Sequence, residues 1–288
     1  MKREKKDIAV HRDHIAFYKF LSNKLAVISL IILFLLIAVS ILAPILTPYE
    51  YDSTDLFHVR EAPGKLHLLG TDSVGRDVLT RILYGGRVSL LVGVCAMLIQ
   101  LFLGTILGAF AGYFGGIIDM IISRIADMVM CFPFYVIAMS IIAVIGRGTF
   151  KLIIVIGVLS WCQLFRIVRS EITTIKGNDY VIAAKAMGMS SKEIVIKHLI
   201  PNIISPIIVS ATLTVASGIL LESAMSFLGL GVQPPLASWG NMLSEAQSMS
   251  VIANNWWLWM PPGIMIALTV LAINFVGEGL RDALDPRQ

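Results

Sequence analysis

Long stretches without Asp, Glu, Lys or Arg constrain this chain more than any other feature. A helix crossing about 30 Å of hydrocarbon needs roughly 20 apolar residues at 1.5 Å each. The first such run extends from Leu25 to Tyr49, with an apolar part from Leu25 to Leu46. It is longer than the apolar core of a signal peptide and no small-residue cleavage pattern follows, so it reads as a retained anchor. The second run lies between Arg87 and Asp119, the third is Met128 to Gly146, and the fifth is Leu199 to Leu221. The sixth, Trp256 to Val276, opens with Trp256, Trp257 and Trp259, which suit an interfacial belt. The fourth, Leu152 to Phe165, reaches only about 21 Å and needs Lys151 and Arg166 as snorkelling ends. The sequence therefore predicts an all-α, polytopic membrane protein with six transmembrane helices. Composition agrees: 57% of the 288 residues are apolar, 15% are charged, and the mean hydropathy is +0.81. Soluble domains have about 45–50% apolar and about 25% charged residues, which excludes a soluble enzyme or a disordered chain.

A net charge of +4 and a pI near 9.0 point to nucleic acid only when the basic residues form a folded patch. Here they flank apolar runs, so lipid and not nucleic acid is the expected environment. Sixteen Lys and Arg fall on one side of the spans and seven on the other. The positive-inside rule then places both termini, marked by Lys5 and Asp285, in the cytoplasm, and Asp55 and Gln247 outside. Arg76, Arg81 and Arg87 run against the trend. The resulting division is a tail at 1–24, an anchor at 25–46, an extracytoplasmic segment at 47–87, a transmembrane domain at 88–280 containing a cytoplasmic loop at 166–198, and a tail at 281–288. Within 47–87, Asp72 as a cap and Asp77 four residues before Arg81 predict an amphipathic helix on the outer surface. The stretch from Glu222 to Asn255 carries Gly229, Gly231, Pro234, Pro235 and Trp239, and either lines an outer mouth or touches another protein outside, or else forms a lid packed on the spans.

Patterns that would carry chemistry are missing or incomplete. Gly70 to Gly75 has the spacing of a phosphate loop, but Arg76 and Asp77 stand where Lys and Ser or Thr are needed. There is no HExxH and no GxSxG. His58 and His67 lie nine residues apart, too loose a spacing for a ligand set, and Cys95, Cys131 and Cys162 read as small residues in apolar stretches. No catalytic residue, metal site or cofactor of this chain is expected. The apolar runs also lack ionisable groups, with Glu222 at an edge, whereas ion-coupled transporters use such groups within the membrane. Gly104, Gly108, Gly112 and Gly116, at intervals of four, predict a face for close helix packing.

The segment from Ser170 to Pro201 is the most informative. Asn178 or Asp179 caps a short helix, Tyr180 to Met187, which Gly188 ends in a left-handed conformation. Ser190 and Glu193 form a capping box for a second helix, and Ile194, Val195 and Leu199 carry it rigidly into the fifth span. Ala183, Ala184 and Gly188 leave part of the short helix bare, open to the cleft of another protein.

Ala183, Ala184, Gly188 and Pro201 match the EAA loop of bacterial ABC importer permeases, whose pattern is EAA, three residues, G, nine residues, then IxLP. Ile182, His198 and Ile200 replace the glutamate, isoleucine and leucine of that pattern. Leu68 to Leu90 (LLGTDSVGRDVLTRILYGGRVSL), Ser226 to Leu243 (SFLGLGVQPPLASWGNML) and Gly279 to Arg287 (GLRDALDPR) resemble the second permease subunit of the dipeptide, oligopeptide and nickel importers. The resemblance implies a MetI-like permease core in the bacterial inner membrane that forms half of a translocation pathway. It further implies a second homologous permease subunit, two cytoplasmic ATP-binding subunits that hold ATP and Mg, and an extracytoplasmic substrate-binding protein. The ATPase-coupling loop would comprise Asp179, Tyr180, Ala183, Ala184, Met187, Gly188 and Pro201. Di- or oligopeptides are the favoured cargo, nickel or a metal chelate is the alternative, and a passive channel subunit is the second class.

Overall fold

The computed structural model describes residues 18–284. Lys5 and Asp285, the markers for the orientation of the termini, lie outside them. The described residues form α1 (Lys24–Ile41), α2 (Ala43–Leu46), α3 (Val78–Phe114), α4 (Gly116–Cys131), α5 (Phe134–Ile145) and α6 (Thr149–Ile175). Further along the chain come α7 (Asp179–Ala186), α8 (Ser191–Ile194), α9 (Ile204–Phe227), α10 (Trp239–Leu243), α11 (Met249–Asn254) and α12 (Trp256–Leu284). Among these residues there is no strand. Helices α1, α3, α6, α12 and the continuous Ser191–Phe227 stretch are long and apolar enough to cross a bilayer. A sixth span is counted if α4 and α5, bent by 91° at their break, are taken as one.

The third span therefore differs from the expectation. It starts at Gly116, not Met128, and breaks at Phe132–Pro133. Proline has no N–H and pushes its predecessor out of the helical region, and Phe132 is extended at φ −97°, ψ 144°. The fourth span is also longer than its charge-free run. α6 continues through Arg166 and Arg169 to Ile175 because both arginines meet carboxylates of α4. Arg166 donates to Asp127 at 2.7 Å, and Arg169 grips both oxygens of Asp119, one at 2.7 Å.

At its 37 residues, α3 is about 55 Å long, so it stands well clear of the hydrocarbon. The expected separate amphipathic helix does not exist; α3 begins in that region and the boundary set at Arg87 falls inside it. Its cap is Asp77, not Asp72. Asp77 Oδ1 accepts from the Thr80 N–H and hydroxyl, both at 2.7 Å, and Oδ2 meets His67 Nδ1 at 2.9 Å. Asp72 is occupied elsewhere: Oδ1 closes a turn by accepting from the N–H groups of Val74 and Arg76, and Oδ2 takes Arg76 Nε at 2.6 Å. Arg81 consequently pairs with Asp72, at 3.5 Å, and not with Asp77.

The small-residue stripe packs α3 against α6, the most extensive helix pair in the molecule. A methyl group at Gly104 would come within 2.8 Å of Leu164 Cβ, and one at Gly108 within 2.8 Å of Val168 Cβ. At Gly112 it would lie 2.8 Å from the Arg169 carbonyl oxygen. Gly116 is a correction to the stripe. With Gly115 it sits at positive φ in the turn from α3 into α4, and nothing lies within 4 Å of the position of a Cβ there.

On the opposite end, residues 229–247 are a lid packed on the spans. Trp239 is fully buried, its indole N–H donating to the Ile82 carbonyl at 2.9 Å and its backbone N–H to Ser89 Oγ at 3.1 Å. Ser89 in turn donates to Glu222 at 3.0 Å, Ser226 donates to Glu222 at 2.7 Å, and Ser226 Oγ accepts from the Val232 N–H. Glu222 is thus enclosed within α9 at the centre of a hydroxyl cluster, not at an edge. Trp257 departs from the interfacial belt: it is buried with Val78, Ile82, Met242 and Leu258, donating to the Thr71 carbonyl at 3.3 Å.

Candidate functional site

The short helix α7 is built almost as its residues dictate. Asn178 precedes it in extended conformation, Asp179 sits at its positive end and Lys185 at its negative end. The exit is a Schellman motif. Gly188, at φ +78°, donates to the Lys185 carbonyl at 3.0 Å, and Met189 donates to the Ala184 carbonyl at 3.2 Å. Ser190 and Glu193 then form the capping box, each N–H bonded to the other's side chain at 3.3 Å.

The connection from α8 into the fifth span is less regular than the rigid helix expected there. Between α8 and α9 the chain passes through a π-helical turn, Val195–Leu199, and a 3-10 turn, Ile200–Ile203. Pro201 cannot donate to the regular ladder, which accounts for the change of pitch. Its ring is exposed on this turn.

α7 has two unlike faces. Val181 and Ala184, 4% and 1% exposed, enter a core with Ala109 of α3, Leu164, Val168 and Ile172 of α6, and Leu199, Ile203 and Ile207. Tyr180, Ile182, Ala183 and Met187 face outward, with Met187 75% exposed. Ala184 is therefore a correction: it is small so that α7 can seat against its own chain, and does not belong to the bare surface. Sequence reasoning included Met187 in the coupling loop but missed Ile182, a second outward apolar side chain that is 56% exposed. Ile182, one residue after Val181, is turned about 100° from the Val181–Ala184 face, and Met187 is the C-cap beyond the last helical residue.

Two further features eluded the sequence. Lys176 donates to the Gly112 carbonyl at 2.8 Å, so the end of α6 is tied to the end of α3 just before α7 begins. The Arg166 and Arg169 ion pairs join residues 39 and 50 apart in the chain, beyond any local pattern. At the other end, the Asp55 carboxyl is held below the usual carboxylate range by its hydrogen bond from His58, which is raised by the same contact. His58 and His67 do approach, with ring centroids 6.1 Å apart. Among the described residues, however, no three His, Cys, Asp or Glu side chains are grouped to hold a metal ion.

An all-helical bundle with five to six candidate spans, a glycine-packed centre and a short cradled helix beside it defines a polytopic membrane protein. Residues 104–288 match the family described as binding-protein-dependent transport system inner membrane component, and residues 14–63 match the N-terminal transmembrane domain of oligopeptide transport permease C. The chain belongs to that transport family and is a multi-pass protein of the bacterial cell membrane. It is 42% identical over 272 residues to the oligopeptide transport system permease protein OppC of Escherichia coli, covering 93% of this chain and 89% of that one. It is 39% identical over 286 residues to the protein of the same name from Bacillus subtilis, covering 99% and 92%. To the dipeptide transport system permease protein DppC of Alkalihalophilus pseudofirmus it is 42% identical, covering 94% and 89%.

Proposed function

We propose that this chain is one of two translocation subunits of an ATP-driven importer of di- or oligopeptides, and that α7 is the element a cytoplasmic ATPase grips. The carrying observation is the division of α7 into a face seated in the chain's own core and an apolar face left open. A helix of 8 residues is too short to be stable alone, so seating is what allows it to transmit force. Val181 and Ala184 share their core with Val168 and Ile172 of α6, with Ile203 just before α9 and with Ile207 in α9. Closure of a partner ATPase on α7 would therefore displace both helices together and alternate access to the pathway. ATP and Mg belong to the two partner ATPases, and a second permease subunit completes the path for cargo brought by an extracytoplasmic binding protein. The names of the relatives support peptides as that cargo.

Two experiments test this reading. Deletion of the gene in an amino-acid auxotroph should abolish growth on peptides as the sole source of that amino acid while leaving cellular nickel unchanged. Unimpaired peptide use with a fall in nickel would transfer the assignment to a metal importer. For orientation, single cysteines replacing Asp55, Gln247 and Ile182 are introduced after removal of the three native cysteines. The first two should react with an impermeant thiol reagent in intact cells and the third only after lysis. Labelling of the Ile182→Cys variant without lysis would invert the topology.

A further inference from the structure

A cavity of about 470 Å³, within the range of small-ligand clefts, opens among α3, α6, α9 and the break between α4 and α5. Its lining is mainly apolar; the polar side chains in it are Gln100, Ser160, Gln163, Thr214, Ser217 and Tyr135, and no charged side chain takes part. Ser160 and Gln163 share one face of α6, and Thr214 and Ser217 share one face of α9, each pair three residues apart. All four lie near the middle of their helices. Gln100 is 3% exposed, and its amide nitrogen donates to Thr214 Oγ1 at 3.0 Å. Gln163 and Ser217 are exposed at this depth, where polar groups turned to hydrocarbon would be costly. The Phe132–Pro133 break, flanked by the lining residues Met130, Phe132 and Phe134, adds helix ends with free backbone groups. Non-helical backbone within a membrane persists where it is buried in protein or lines a wet cavity.

We infer that this cavity holds the cargo midway through the membrane and takes the main chain of an extended peptide. This rests on the peptide reading above. Peptide groups offer donors and acceptors at regular intervals, and the amides and hydroxyls set within this mainly apolar lining answer them regardless of side chain. A neutral lining neither rejects nor traps acidic or basic peptides, whereas a single fixed charge would discriminate between them.

The test places that charge. Ser217→Asp and Ser217→Lys are assembled with the complete transporter, and uptake of three tripeptides with central Ala, Glu or Lys is measured relative to the unaltered protein. The Asp variant should shift the Glu-to-Lys uptake ratio about tenfold toward Lys, and the Lys variant about tenfold toward Glu, with the Ala peptide little changed. Gln163→Glu and Gln163→Lys repeat the comparison if the Ser217 variants do not assemble. Ratios that stay at the unaltered value in assembled variants overturn the site while leaving peptide transport intact. An unaltered transporter that takes up none of the three peptides overturns the peptide reading itself.

Discussion

Met187→Asp is expected to accumulate in the membrane at the native level and to transport nothing. Met187 is the most exposed apolar side chain of the coupling segment and contributes nothing to the core beneath α7, so its replacement leaves seating intact. The damage falls on docking. Burying an unpaired carboxylate against a partner costs about 3–5 kcal/mol, which weakens ATPase recruitment by more than about a hundredfold. Ala184→Arg is the informative contrast. With Ala184 enclosed by the core that contains Val168, Ile172 and Leu199, a guanidinium there unseats α7, and the chain should be degraded or lose the helix. Membrane abundance, co-purified ATPase and uptake separate the two outcomes. Native uptake by Met187→Asp with its ATPase still bound would remove α7 from the coupling role.

This contrast marks where the sequence was readable. Caps are local: Ser190 with Glu193 and Gly188 after Met187 depend on neighbours within a few residues, and both formed as spacing dictated, whereas Asn178 stands at the cap position of α7 without a side-chain capping hydrogen bond. Which face of α7 would turn inward was not local, since Ala183 and Ala184 are chemically identical and only the shape of α3 and α6 selects between them. Charge-free runs located the spans but misjudged their ends. Arg166 and Arg169 belong to α6 because Asp119 and Asp127 come to meet them, an arrangement that hydropathy cannot register. Similarly, Asp77 and Arg81 have the spacing of an ion pair, yet the helix end needed Asp77 as its cap and Arg81 went to Asp72. Glu222 looked like the end of an apolar run because nothing nearby in sequence showed that Ser89, 133 residues away, would share its burial.

Gly108→Leu should be the most destabilising single substitution in the glycine stripe and should also uncouple the transporter. Even the first added carbon would sit 2.8 Å from Val168 Cβ and 2.9 Å from the Phe165 carbonyl oxygen. Neither neighbour can swing aside, one being a branched carbon fixed to the backbone and the other backbone itself. α3 and α6 must therefore separate along their whole contact, at a cost of about 3 kcal/mol or more. Gly116→Ala meets no neighbour and costs only about 1–2 kcal/mol for its positive φ. The functional consequence arises from shared residues, since Val168 and Ile172 form both the wall behind the glycines and the seat of Val181 and Ala184. Moving α6 off α3 therefore also moves the seat of α7. Thermal unfolding in detergent should show a large loss for Gly108→Leu and a small one for Gly116→Ala, with uptake lost only in the former. Equal melting temperatures for the two variants would mean that the helices do not approach as closely as the stripe requires.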